Sequence, residues 1–264
     1  MRIYHYTNIE TLALILKNCT IRFNRLDKVD DIEEGNIKSN GINLSFYTFV
    51  SCWTKSSEEN IPLWKLYGGD KNGIRISMDH QMFNEEFFLN KLKVFAVLYQ
   101  FFNGNIYEDI SKESFFIYPF LNSNNDIFFR DVIYVDDPLS FTDYLISDFA
   151  DIFCFKLNPI GTYKHKRWEF QQESRYVLNC VPINLLQGLT NKNLNTEIIT
   201  SYKNNKLPEK EFIDMPLKKT AFDSLEITLH PSATETQKII VNALLQQYAP
   251  KANLKKSNLA VRLK

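Results

Sequence analysis

Ile3-Tyr4-His5-Tyr6-Thr7-Asn8-Ile9-Glu10-Thr11-Leu12-Ala13-Leu14-Ile15-Leu16 opens the chain and decides its architecture. A short apolar and aromatic run leads to His5 and stops at a polar turn, and a helix follows at once. Ile9, Leu12, Ala13, Ile15 and Leu16 recur at the spacing of one helical face. Thr7 and Glu10 stand at the spacing of a capping box, in which the Thr hydroxyl accepts from the Glu amide and the carboxylate reaches back. His5 is therefore expected at a strand end facing a helix N-terminus, where an anion or an amide-bearing ligand can be held. Taken alone, His5 is also explained as a structural imidazole satisfied by backbone, and Thr7 as a cap.

Outward from this stretch, strands are expected at 20–24, 45–53 and 73–78, with a helix at 61–67 that carries Pro62 in its first turn. Residues 91–99 and 131–135 read as strands, 100–130 as helices and loops, and 139–157 as a helix. The block at about 81–160 therefore reads as a helical insertion or lid within one domain spanning 1–264. Further strands are expected at 174–181 and 225–230, a surface helix or loop at 190–206, a helix from 231 to 248, and a strand-like tail. The mixed order of elements argues for an α+β fold rather than regular βαβ alternation.

The chain has 264 residues, ordinary globular hydrophobicity, and 31 basic against 31 acidic residues. That balance leaves no strong nucleic-acid footprint. Cys19, Cys52, Cys154 and Cys180 have neither zinc nor disulfide-framework spacing. No signal peptide is visible and no apolar run reaches membrane-spanning length, so a cytoplasmic protein with no membrane partner is expected. There is no Gly-rich phosphate loop, no zinc-protease His pair and no nucleophile elbow.

Three polar and aromatic clusters remain, all at strand ends. The first is His5-Tyr6-Thr7. The second is Ser51-Cys52-Trp53, followed at helical distance by Trp64 and Tyr67, which reads either as an aromatic mini-core or as a platform for a planar heterocycle. The third is Trp168, Glu169, Glu173 and Arg175, where Glu173 and Arg175 could be no more than an exposed ion pair. The acidic run Asp27 to Glu34 reads as a solvated turn. If Asp30, Asp31, Glu33 and Glu34 bound a metal instead, a nuclease or RNA-modifying enzyme would follow.

Together these motifs resemble a bacterial family of unknown function that shares YHYT, an Asp-x-x-Glu turn, Ser-Cys-aromatic, Trp-x-x-Tyr and Trp-x-x-Glu-x-Glu-x-Arg segments. Here those are Tyr4 to Thr7, Asp31 with Glu34, Ser51 to Trp53, Trp64 with Tyr67, and Trp168 to Arg175. The opening stretch also resembles the catalytic domain of poly-ADP-ribose polymerases and related ADP-ribosyltransferases. That resemblance implies a largely antiparallel split sheet with a central cleft, and NAD as substrate. It implies an unknown protein or nucleic-acid acceptor, and no resident metal. It also implies roles: His5 for the adenosine ribose, the Tyr6 backbone for the nicotinamide amide, Tyr67 or Trp64 for stacking, and Ser51 as a supporting hydroxyl. Thr7, Trp53 and Arg175 would complete the NAD-binding wall, and Glu173 would be the catalytic carboxylate. His5, Tyr67 and Glu173 should then line one cleft. The functions that fit are an NAD-dependent ADP-ribosyltransferase or NAD glycohydrolase, such as a toxin or anti-phage effector. A non-catalytic ligand-sensing module on the same scaffold also fits.

Overall fold

A computed structural model describes residues 1–69, 71–83, 116–119, 129–142, 146–149, 152–155, 160–182 and 194–261. Its main sheet has ten strands: β1 (Arg2–Asn8), β2 (Thr20–Arg25), β3 (Thr48–Thr54), β4 (Gly73–Asp79), β5 (Phe116–Pro119), β6 (Phe129–Asp131), β7 (Glu173–Val181), β8 (Phe212–Pro216), β9 (Glu226–Leu229) and β10 (Asn253–Lys256). The helices are α1 (Ile9–Asn18), α2 (Ile61–Tyr67), α3 (Leu194–Lys203) and α4 (Glu235–Tyr248). The fold is α+β and the sheet is largely antiparallel; only β9 and β10 pair in parallel within it.

The register around β3 makes the cleft. One edge of β3 is used along its length by β7, from Glu173 against Thr54 to Asn179 against Thr48. The other edge is shared. β1 meets it only at Thr54, through Tyr4, and β2 meets it only at Val50 and Phe49, through Asn24 and Arg25. Among the described residues, no strand pairs with Ser51, Cys52 and Trp53 on this edge. β1 continues instead with β4, from Arg2 against Asp79 to Asn8 against Gly73, while β2 continues with β8. The sheet thus opens beside Ser51 to Trp53, and α1 spans the opening because it joins the two diverging strands.

Burial follows the apolar pattern. Ile9, Leu12, Ile15 and Leu16 of α1 are buried, and α1 packs on α4. Phe23, Phe49, Trp53, Ile76, Met78 and Tyr176 join the core from successive strands. Breaking this core at a single large residue by truncation to Ala would cost about 3–5 kcal/mol.

Several local expectations are overturned. The cap of α1 is Asn8, whose side chain accepts from the Thr11 amide, so the Thr7–Glu10 box does not form. Pairing with Gly73 carries the strand through Asn8, which puts Thr7 inside the ladder. Glu10 instead accepts from Asn72 Nδ2 at 3.4 Å. A true capping box occurs at Thr234 with Gln237, before α4. The expected helix at 139–157 is a 3-10 turn at Pro138–Phe141 followed by the hairpin Ile146–Phe149 and Ile152–Phe155. Its β-branched and aromatic content satisfied a helical period by coincidence, and strand propensity won. The 81–160 block is accordingly rich in strand where described, and β5 and β6 enter the main sheet against β7. The strand expected at 91–99 lies outside the described residues. The start of the strand expected at 45–53 is a 3-10 turn, Leu44–Tyr47.

Candidate functional site

The opening beside β3 leads into a cavity of about 430 Å³ lined by β1, α1, β2, β3, Tyr67 and the Glu173 wall. That is within the range of small-molecule sites. His5, Tyr6, Thr7, Ser51, Trp53, Tyr67, Glu173 and Arg175 all line it, and Trp64 does not. Trp64 is fully buried on the far side of Tyr6, edge-on to the Tyr6 and His230 rings, and its indole donates to Glu59 at 3.0 Å. Its helical face is turned into the small Tyr6, Leu63 and Trp64 core, whereas Tyr67, one turn later, reaches the cavity.

His5 Nδ1 lies 2.8 Å from the Cys52 carbonyl, on the unpaired stretch of β3. A carbonyl can only accept, so Nδ1 carries the proton and Nε2 keeps its lone pair for a ligand hydroxyl. Burial lowers the His5 pKa, and the Cys52 carbonyl offsets part of that shift. The ring packs on Trp53 at a centroid distance of 5.1 Å. Trp53 donates to the Ser51 hydroxyl at 3.0 Å, which ties Ser51 to the indole. The Tyr6 ring packs beside Trp64 and its hydroxyl accepts from the Asn60 amide at 2.8 Å. The Tyr6 side chain is thus structural, and Thr7 stays on the wall without a capping role.

The Glu173 wall is a buried charge network that the sequence reading did not foresee. Arg175 is completely buried and grips Glu173 through Nε at 2.6 Å and Nη2 at 3.0 Å. The same guanidinium grips Glu34 through Nη1 and, at 2.9 Å, through Nη2. Lys164 Nζ donates to Glu173 Oε2 at 3.0 Å and to Gln171 Oε1 at 2.7 Å. Two carboxylates and two cations therefore form a neutral quartet away from water, where direct pairing matters most. Burial alone would raise the Glu173 pKa; Arg175, and then Lys164, outweigh it and hold the carboxyl down at about 2. Burial and the nearby Glu173 carboxylate raise the Cys52 thiol, which stays protonated beside that carboxylate.

The quartet continues to the stacking candidate. Gln171 Nε2 donates to the Tyr67 hydroxyl at 2.8 Å, and burial and then the negative charge of nearby Asp30 raise the pKa of that phenol. The acidic run at 27–34 is therefore a solvated turn only in part. Lys28, Asp30 and Ile32 are exposed and Glu33 meets Arg167 at 3.3 Å on the surface, whereas Glu34 is 3% exposed and clamped to Arg175. Among the described residues no group of three or more His, Cys, Asp or Glu is placed to hold a metal. Glu173 with Arg175 is likewise no exposed pair. Glu34, Lys164 and Gln171 are the residues that sequence reasoning missed. Arg175 was the available signal: five N–H donors in an apolar strand need more acceptors than one carboxylate supplies.

No protein-family model, curated protein or solved structure matches the chain. Among the described residues, no helix is long and apolar enough to cross a membrane.

Proposed function

We propose that this chain has an ADP-ribosyltransferase-like fold and consumes NAD, cleaving the bond between nicotinamide and ribose as a transferase or glycohydrolase. The observation that carries the reading is the split beside Ser51 to Trp53, which gathers His5, Tyr67 and Glu173 around one cavity. Cleavage builds positive charge on the ribose. Glu173 is held ionised by Arg175 and Lys164, so a fixed negative charge stands ready where that charge develops. Tyr67 supplies an aromatic face for the departing ring, and Asp30, which also lines the cavity, adds negative charge that favours a cationic heterocycle. His5 Nε2, with its lone pair exposed by the Cys52 contact, accepts from a ribose hydroxyl.

The test is release of free nicotinamide from NAD, with cell lysate as acceptor source. A folded Glu173→Gln variant should lose about 10²–10³ in rate, the usual effect of removing one such group. No release by the wild-type chain over long incubation sinks the reading. One feature favours the alternative of a non-catalytic sensing module on the same scaffold. A carboxylate has about four acceptor positions, and Arg175 Nε and Nη2 and Lys164 already take three of them on Glu173. That module would bind NAD and release nothing.

A further inference from the structure

Lys164 stands apart in the quartet. Its ammonium has three N–H donors. One goes to Gln171 and one to Glu173, and no described residue accepts the third. The side chain lines the cavity and is only 6% exposed. The Trp168 ring, 4.9 Å from Nζ, braces the ammonium without accepting a conventional hydrogen bond. A spare donor on a buried cation, beside a carboxylate and facing a cavity, matches a ligand oxygen.

The donors on Glu173 make the match more specific. Arg175 is immobile, because the same guanidinium also carries Glu34. Arg175 Nε and Nη2 and Lys164 Nζ take three of the roughly four acceptor positions of the Glu173 carboxylate. A ligand hydroxyl can donate a hydrogen bond to the position left over while its oxygen accepts from Lys164. We propose that Lys164 is a ligand-binding residue of this site, which donates its third N–H to a hydroxyl oxygen of the ligand while Glu173 accepts that hydroxyl's proton. Under the NAD reading, on which the ligand's identity rests, the hydroxyl belongs to the ribose next to nicotinamide.

Two variants of the full chain separate this role from simple charge balance. Lys164→Gln keeps an N–H donor and loses the charge; Lys164→Met loses both. The groups that face Glu173 are Lys164, Arg175, Cys52, Tyr67 and Tyr134, with Glu34 acting through Arg175. Removing the Lys164 charge moves the acid limb of nicotinamide release upward by about one to three pH units in both variants. The donor appears in KM: Lys164→Met raises KM for NAD about tenfold or more, and Lys164→Gln raises it clearly less. Equal KM values in folded Lys164→Met and wild-type protein overturn the proposal and leave the NAD reading standing. If wild-type protein neither cleaves nor binds NAD, that reading fails and the proposal falls with it. Should neither variant fold, the 15Nζ resonance of Lys164 in the wild-type chain gives the answer. NAD must shift it, and an unmoved resonance in NAD-saturated protein overturns the contact.

Discussion

Glu173→Gln tests the buried quartet as well as the chemistry, and the two effects must be separated. The four side chains, Glu34, Glu173, Lys164 and Arg175, are between 0% and 6% exposed. Their charges sum to zero. Glutamine keeps the shape and one acceptor oxygen, but leaves two cations against Glu34 alone. An uncompensated buried charge of this kind costs about 3–5 kcal/mol. For a chain of this size each kcal/mol shifts the thermal midpoint by about 2–4 °C, so a fall of roughly 6–20 °C is expected. Near-ultraviolet circular dichroism during heating reads it directly. The double variant Glu173→Gln with Lys164→Met restores neutrality, since only Glu34 and Arg175 remain. It should recover more than half of the loss, although Gln171 Oε1 then lacks its donor. Two results refute the reasoning: a Glu173→Gln midpoint within about 2 °C of wild type, or a double variant whose loss is the sum of the single losses. Either would mean that water screens these pairs as it screens surface ones. The practical consequence is that lost nicotinamide release in Glu173→Gln counts against the chemistry only in protein shown to be folded at the assay temperature, since the double variant also removes the Lys164 contact to ligand.

Further outcomes are specific. The Glu173 carboxyl sits below its ordinary value of 4.5, at about 2, so its stabilising contribution is complete above about pH 4.5 and is lost as pH falls toward 2. Urea midpoints should fall across that window in wild type and be flatter in the double variant. The His5 pKa is lowered from 6.5, so the neutral ring contributes stability above that pH and loses it as pH falls through the folded value. A histidine NMR titration that places His5 at or above 6.5 contradicts its burial against the Cys52 carbonyl. Asn8→Ala should cost about 0.5–2 kcal/mol through loss of the α1 cap, whereas Thr7→Val, which removes only a hydroxyl without a capping role, should cost less; the reverse order in urea unfolding would restore the Thr7–Glu10 box. Trp64→Phe should lower stability and leave KM for NAD unchanged, while Tyr67→Ala should raise that KM, because only Tyr67 lines the cavity.

What was legible in the sequence was local, and what was hidden was paired across distance. The α1 face and strands β2, β4 and β7 follow from apolar period and propensity, and the structure places them within a residue or two of expectation, whereas β1 runs three residues past His5. The Thr7–Glu10 box failed because the spacing signal cannot say whether a ladder partner extends the strand; Gly73 does so and makes Asn8 the cap. The 139–157 segment failed because short apolar runs satisfy both periods. The site divides in the same way. His5 and Glu173 were visible one by one, because a polar group beside an apolar run is conspicuous, although His5 sits mid-strand opposite Ile76 rather than at a strand end, since the ladder runs on to Asn8. Glu34 was not, since it meets Arg175 from 141 positions away, inside an acidic run that looks like any solvated turn. The demand for it was nonetheless written in the sequence. A strand reading Tyr176, Leu178, Cys180 buries its neighbours, and an arginine in such a strand cannot shed its proton. Glu173 could satisfy only one side of that guanidinium, so a second carboxylate had to come from elsewhere in the chain. An arginine in an apolar strand is thus a directed search instruction. Here it leads to the acidic run at 27–34, where Glu34 holds Arg175 and Asp30 lines the cavity with Tyr67, so a segment that composition alone assigns to solvent reaches the site.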